Sequence, residues 1–176
     1  VIRIDVDPEQ LTDGPSIGVL GDAGAIGGQL NRAVTPRERD GSRRASALRD
    51  AVSRDPFYHP EFGRFLDTLR SKTDVLVGDS TQPTYYAAWH YEPAEPRAYF
   101  HSVSGFGTLG YALPAAIGAK IARPDAAVTA LIGDGGAMFT IAEIAAAAQQ
   151  QIGITIVIWN NDGYREIENS MLARGM

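Results

Sequence analysis

Gly133-Asp134-Gly135-Gly136 and Asn160-Asn161-Asp162-Gly163 are the two stretches whose residue types could do chemistry together. Each closes an apolar run, Val128 to Ile132 in the first case and Ile154 to Trp159 in the second. Such runs read as buried strands, and Thr140 to Gln150 between them reads as a helix opened by the capping-box pattern Thr140-x-x-Glu143. A strand–helix–strand unit makes the two strands parallel through a right-handed crossover. As neighbours their ends lie about 5 Å apart at one sheet edge, and Asp134 and Asn161 converge there. A carboxylate oxygen, an amide oxygen and a free backbone carbonyl such as that of Gly163 are hard ligands. That set suits Mg²⁺ or Ca²⁺ and suits zinc poorly. Mg²⁺ leaves coordination positions for phosphate oxygens. Gly135 and Gly136 let backbone N–H groups approach those phosphates beside a helix N-terminus. Both tetrapeptides are equally ordinary turn formers, so residue types alone leave the two readings open. An EF-hand loop is excluded by the spacing.

A different chemistry is suggested by Gly105-Phe106-Gly107-Thr108-Leu109-Gly110, which matches the G-x-G-x-x-G of dinucleotide-binding folds, with Asp134 at the end of the next strand. Two features speak against a nicotinamide dehydrogenase. Pro114 fits the first turn of a helix over residues 114–122, which starts that helix past the last glycine. The preceding Ala98 to Ser104 is a poor strand, interrupted by His101, Ser102 and Ser104. The histidines offer little. His59 and His90 read as surface or packing residues, and His101 lies near the glycine segment with no nucleophile or carboxylate spaced to orient it. Phe139, Ile141 and Ile144 read as core, and Tyr85, Tyr86, Trp89 and Tyr91 as an aromatic run suited to a subunit interface.

The elements that must position these residues alternate along the chain. Phe62, Phe65, Leu66 and Leu69 recur at helical spacing, and Val75 to Asp79 is a further apolar strand. Strands apolar throughout, alternating with helices, imply an α/β fold with a parallel sheet covered on both faces. Ligands of such sheets bind outside the carboxyl ends of the strands. Earlier in the chain, Val1 to Val6 and Ile17 to Leu20 read as short strands. Residues 36–55 are rich in Arg, Asp and Glu and read as a solvated linker or surface helix, with a domain boundary near Pro56. The expected organisation is therefore 1–35, a linker over 36–55, and a second domain over 56–176.

Composition narrows the classes. The chain has 176 residues, 44% hydrophobic and 21% charged, with a net charge of −5. That is a globular protein able to bury a core, not a disordered one. Scattered arginines on a net-acidic chain argue against a nucleic-acid surface, and no apolar run is long enough to suggest a membrane helix. There is no cysteine, hence no disulfide or thiolate metal site, which fits a cytoplasmic setting. The chain opens Val-Ile-Arg-Ile without an initiator Met or signal segment, and reads as a piece of something longer.

Gly133-Asp134-Gly135 followed by Asn161, 27 residues after the Asp, resembles the thiamine diphosphate (ThDP) and Mg²⁺ signature of the acetolactate synthase and 2-oxo acid decarboxylase superfamily. Gly107 to Ala119 is similar to that family's cofactor-supporting segment and the helix after it. Asp79-Ser80-Thr81-Gln82 resembles the loop at the start of its cofactor domain, and Ile4-Asp5-Val6-Asp7-Pro8 the closing strand of its Rossmann-like middle domain. The resemblance implies that Asp134, Asn161 and the Gly163 carbonyl hold Mg²⁺. It implies that Gly135, Gly136, Ser80, Thr81 and Gln82 contact the diphosphate. The Gly107 carbonyl would accept from the aminopyrimidine, and Leu109 would wedge the cofactor into its bent form. That bend brings a base to the C2 proton of the thiazolium. The resulting C2 carbanion attacks a 2-oxo acid, and an enamine forms as CO₂ leaves.

The family's activating Glu stands on a separate N-terminal domain, usually of a partner subunit, and its cofactor domain runs on past the Asn-Asn-Asp-Gly turn. The resemblance thus implies a fragment, inactive alone, of a homo-oligomer that shares its site between subunits. The stretch from Asn160 to Ile167 looks closest to decarboxylases of 5-guanidino-2-oxopentanoate and more distantly of benzoylformate. Glu166 or Glu168 could face a cationic substrate tail, though both read more simply as solvated residues on a helix. An acetolactate-synthase-type carboligase and a non-catalytic module of the same fold stay open beside the decarboxylase.

Overall fold

A computed structural model describes residues 1–12, 14, 17–35, 41–52, 54 and 59–176. The chain divides into two compact units, Val1–Val52 and Ser53–Met176. The expected boundary at Pro56 and half of the charged residues of the expected linker lie outside the described residues.

In the first unit, strands β1 (Ile2–Asp5) and β2 (Ile17–Leu20) pair in parallel, Ile2 opposite Ile17 and Asp5 opposite Leu20. Helix α1 (Ala23–Ala33) follows and is capped by Asp22, whose Oδ1 accepts from the Ala25 N–H at 2.8 Å. Residues expected as linker or surface helix form helix α2 (Gly41–Val52).

The second unit is an α/β/α sandwich. Helix α3 (Pro60–Arg70) leads to strand β3 (Val75–Gly78), helix α4 (Gln82–His90) and strand β4 (Tyr99–His101). Helix α5 (Ala112–Ala122), strand β5 (Val128–Gly133), helices α6 (Asp134–Thr140) and α7 (Glu143–Gln149), strand β6 (Thr155–Trp159) and helix α8 (Arg165–Ala173) complete it. The four strands are all parallel in the order β4-β3-β5-β6. Period-two alternation divides the core between two faces. Val75, Val77, Val128, Ala130 and Ile132 pack with Ala112, Leu113 and Ala116 of α5. Leu76 and Leu131 turn the other way, onto Phe62 and Leu66 of α3 and Tyr86 and Ala87 of α4. Every residue of β3 and β5 is buried, as apolar runs covered on both faces require.

Three sequence expectations are corrected. The segment judged a poor strand contains β4, which pairs with β3 from Leu76–Tyr99 to Gly78–His101. Its polar residues at 102 and 104 fall in the 3₁₀ turn that ends it, not in the strand. The expected helix over 140–150 is two helices. α6 starts directly from β5, and the Thr140 hydroxyl donates to the Gly110 carbonyl at 2.9 Å, so it does not cap α7. Lastly, Phe139, Ile141 and Ile144 are not core but exposed, at 62%, 46% and 40%. They lie on α6, α7 and the turn joining them, off the two faces that cover the sheet. No helix among the described residues is long and apolar enough to cross a membrane.

Candidate active site

The strand order creates a crevice. From β3 the chain crosses to β4 on one side, and β5 lies on the other. The connections therefore diverge between β3 and β5, and the space outside their carboxyl ends is where open parallel sheets bind ligands. A cavity of about 250 Å³ lies there. Ser80, Thr81 and Gln82 line it from the loop after β3, Gly107 and Leu109 from the segment before α5, Asp134 and Gly135 from the start of α6, and Asn161 and Gly163 from the turn after β6. Nine of the ten residues singled out from sequence thus share one cavity. Gly136 is set back from it, buried against Asp79.

Asp134 and Asn161 are brought together by the neighbouring strands, Gly133 standing opposite Trp159 in the β5–β6 ladder. The turn after β6 forms locally. Asn160 Oδ1 accepts from the Asp162 N–H at 3.0 Å, holding Asp162 at φ +61°. This returns the Gly163 carbonyl toward Asn161. The Asn161 Nδ2 donates to Gln82 Oε1 at 3.1 Å. In that orientation its Oδ1 faces the Gly163 carbonyl at 2.7 Å and Asp134 Oδ1 at 3.3 Å. Three oxygens this close repel one another unless a cation lies between them. With the amide turned over, its N–H groups would donate to both oxygens instead. The donor set is chemically that of a hard, oxygen-preferring cation. It holds only one carboxylate, and no group of three or more His, Cys, Asp or Glu among the described residues could bind a metal.

The Gly107 carbonyl, at a residue with φ +67°, accepts from the Ser80 hydroxyl at 2.9 Å. Ser80 Oγ in turn pairs with Ser102 Oγ at 2.9 Å. Leu109 is half-buried at the cavity wall. Tyr164 covers Gly135 so closely that a Cβ there would meet its ring at 2.8 Å. Tyr85, Gly133, Tyr164, Arg165, Glu166 and Ile167 complete the lining. His101 is absent from it. Its Nδ1 is buried without a hydrogen-bond partner, and burial pushes the imidazole pKa down, which favours the neutral ring. His90 stacks on Tyr86, and His59 faces Glu61.

The sequence placed Asp79 at the end of a strand and the start of a loop, with no role of its own. The structure buries it completely, with Oδ1 accepting from the N–H groups of Ser80 (2.9 Å) and Gly110 (3.1 Å) and Oδ2 from that of Ala112 (2.8 Å). A carboxylate closing an all-apolar strand was the available signal. These bonds also decide the dinucleotide question, though not on the expected grounds. β4 exists and α5 begins at Ala112, two residues after Gly110. The N–H groups of Gly110 and Ala112 at that helix entrance are nevertheless taken by Asp79, so a pyrophosphate there would meet a carboxylate.

The comparisons agree with this geometry. Residues 79–176 match the thiamine pyrophosphate enzyme family, C-terminal TPP binding domain; thiamine pyrophosphate is ThDP. Over 98% of its length the chain is 30% identical to a probable 2-ketoarginine decarboxylase of Pseudomonas aeruginosa, covering 32% of that protein. Over 92% of its length it is 30% identical to the acetolactate synthase isozyme 2 large subunit of Escherichia coli, covering 30% of it. A mitochondrial acetolactate synthase catalytic subunit of Aspergillus candidus is 41% identical over 54% of the chain and is covered for 15% of its length. The chain thus spans about a third or less of these relatives. The family match takes in more than half of the chain, from Asp79 through the cavity to α8, and the chain belongs to the thiamine pyrophosphate enzymes, with residues 79–176 in their C-terminal TPP-binding domain.

Proposed function

We propose that the protein carrying this chain binds ThDP with Mg²⁺ and decarboxylates a 2-oxo acid. The observation behind this reading is the meeting of Asp134, Asn161 and the Gly163 carbonyl at a cavity that Gly107 and Leu109 also line. Asp134, Asn161 and the Gly163 carbonyl would hold Mg²⁺, whose charge would favour the diphosphate. Ser80, Thr81 and Gln82 hold the diphosphate from the start of α4, and Gly135 does so through its backbone from the start of α6. The Gly107 carbonyl accepts from the aminopyrimidine, and the Leu109 side chain keeps the cofactor bent. Bound there, ThDP supplies the electron sink for loss of CO₂. What this chain contributes is orientation: a metal anchor at one end of the cavity and a rigid carbonyl and wedge at the other. A second copy of the protein completes the cleft. The acetolactate synthase relatives favour a second reading, in which the same site joins two substrates into a hydroxy ketone.

The test is calorimetric titration of ThDP into the full-length protein, with Mg²⁺ and then with EDTA, followed by CO₂ release from a panel of 2-oxo acids. Binding that needs Mg²⁺ and CO₂ release from at least one acid are expected. A full-length protein that binds no ThDP ends this reading.

Within the panel, the acid with a guanidinium tail is the expected substrate. The 2-ketoarginine decarboxylase relative points to it, and so does the charge at the cavity. Glu168 is held by Arg165 at 2.5 Å, and Arg165 also reaches the Asn161 carbonyl at 3.3 Å. Glu166 lines the cavity and forms no ion pair among the described residues. Glu166→Gln is expected to raise KM for the guanidinium acid by about tenfold, the size of one partly exposed charge-assisted contact, and to leave KM for a neutral 2-oxo acid unchanged. Equal changes for both acids would remove Glu166 from substrate recognition.

A further inference from the structure

We infer that Asp79 is the positioning residue of the cofactor pocket, the single group against which three of its walls are aligned; the inference rests on the ThDP reading above. A carboxylate with no exposed surface is tolerable only when its oxygens are fully hydrogen-bonded. Asp79 meets that demand entirely with backbone N–H groups, and their origins matter. Ser80 begins the first wall. Gly110 and Ala112 lie more than 30 residues further on and end the segment that carries Gly107 and Leu109. The third wall, at the start of α6, packs its backbone on the same carboxylate: a Cβ at Gly136 would lie 2.9 Å from Asp79 Oδ1.

A second tie runs in parallel. Ser80 Oγ donates to the Gly107 carbonyl at 2.9 Å, joining the first and second walls a short way above Asp79. The carbonyl assigned to the aminopyrimidine therefore sits in a ring closed by Asp79, Ser80 and the Gly107–Gly110 backbone. A displaced Asp79 lets that carbonyl and Leu109 drift relative to Asp134. The carboxylate also faces the N-terminus of α5, where negative charge is favourable. A simple helix cap would need only that last contact. The bonds to Ser80 and Gly110 and the approach of Gly136 exceed it.

Asp79→Asn tests this in the full-length protein. It keeps the shape and one acceptor but turns an N–H toward a backbone donor, so either the Gly110 or the Ala112 contact fails. The dissociation constant for ThDP with Mg²⁺ is expected to rise by about tenfold or more, as expected when a hydrogen bond to a charged group is lost. Amide exchange at Gly110 and Ala112 is expected to accelerate. Leu66→Ala, in the core beneath the opposite sheet face, serves as the stability control. It should lower the melting temperature while leaving ThDP affinity within about twofold, since distant sites act independently. Wild-type affinity in Asp79→Asn, or equal losses in both variants, overturns the inference. If the wild-type protein binds no ThDP, the functional reading fails. The alignment is then judged by exchange alone: unchanged protection at Gly110 and Ala112 in Asp79→Asn refutes it, and lost protection upholds it.

Discussion

Asp134→Ala is expected to abolish Mg²⁺-dependent ThDP binding. Asp134 supplies the only carboxylate among the three oxygens that converge at the cavity edge; the Asn161 amide and the Gly163 carbonyl are neutral. Mg²⁺ gives up its water reluctantly and is usually held by one or two carboxylates plus phosphate. Two neutral donors do not replace that charge. The diphosphate then loses its metal bridge, and only the backbone and hydroxyl contacts of residues 80–82 and 135 remain. A fall in affinity of about 100-fold or more is expected, equivalent to roughly 3 kcal/mol. Calorimetry with and without EDTA reads it directly: the variant should bind weakly and indifferently to Mg²⁺. The fold should survive, because Asp134 is only partly buried and no core contact depends on it. Mg²⁺-dependent binding within about threefold of wild type would contradict the metal assignment.

Gly110→Ala should be strongly damaging to the second unit, since it combines backbone strain with overpacking. Gly110 adopts φ +84°, a left-handed conformation that costs an L-residue about 1–2 kcal/mol. Its new Cβ would lie 2.9 Å from both Phe139 Cβ and Thr140 Cγ2, and relief of such overpacking costs about 1–3 kcal/mol more. Two bonds are also at risk, from the Gly110 N–H to Asp79 and from the Thr140 hydroxyl to the Gly110 carbonyl. A loss of about 2–5 kcal/mol is expected in urea-induced unfolding, with an unchanged m-value. ThDP affinity should fall with it, because the strain sits between Leu109 and the start of α5. Stability within about 0.5 kcal/mol of wild type would mean that the Gly110 turn is not held as described.

The two predictions draw on different levels of organisation. Asp134 and Asn161 were legible as chemistry because each ends an unbroken apolar run. A strand of Val, Ile, Leu and Ala needs both faces covered, and the polar residues after it must emerge at the sheet edge. The Asn160-to-Gly163 turn is likewise local, its geometry set by one side chain bonding two residues on. The α/β class, the parallel strands and the part of the cavity formed by Asp134, Gly135, Asn161 and Gly163 follow from such short-range patterns, whereas Ser80 to Gln82, Gly107 and Leu109 were singled out only by the family resemblance.

What only the tertiary structure decided were relations between distant segments. No local rule places β3 between β4 and β5, and that order makes the crevice and puts Ser80 to Gln82 opposite Asp134. Asp79 looked like part of a turn until the donors from Gly110 and Ala112 closed on it from 31 and 33 residues away. The Thr140-x-x-Glu143 pattern promised a cap, and a long-range carbonyl claimed the hydroxyl instead. Phe139, Ile141 and Ile144 have core-like side chains yet stay exposed, because burial is conferred by whatever packs against a face and not by the residue itself. Local sequence determined which residues reach the sheet edge; long-range packing and hydrogen bonding decided which of them face one another.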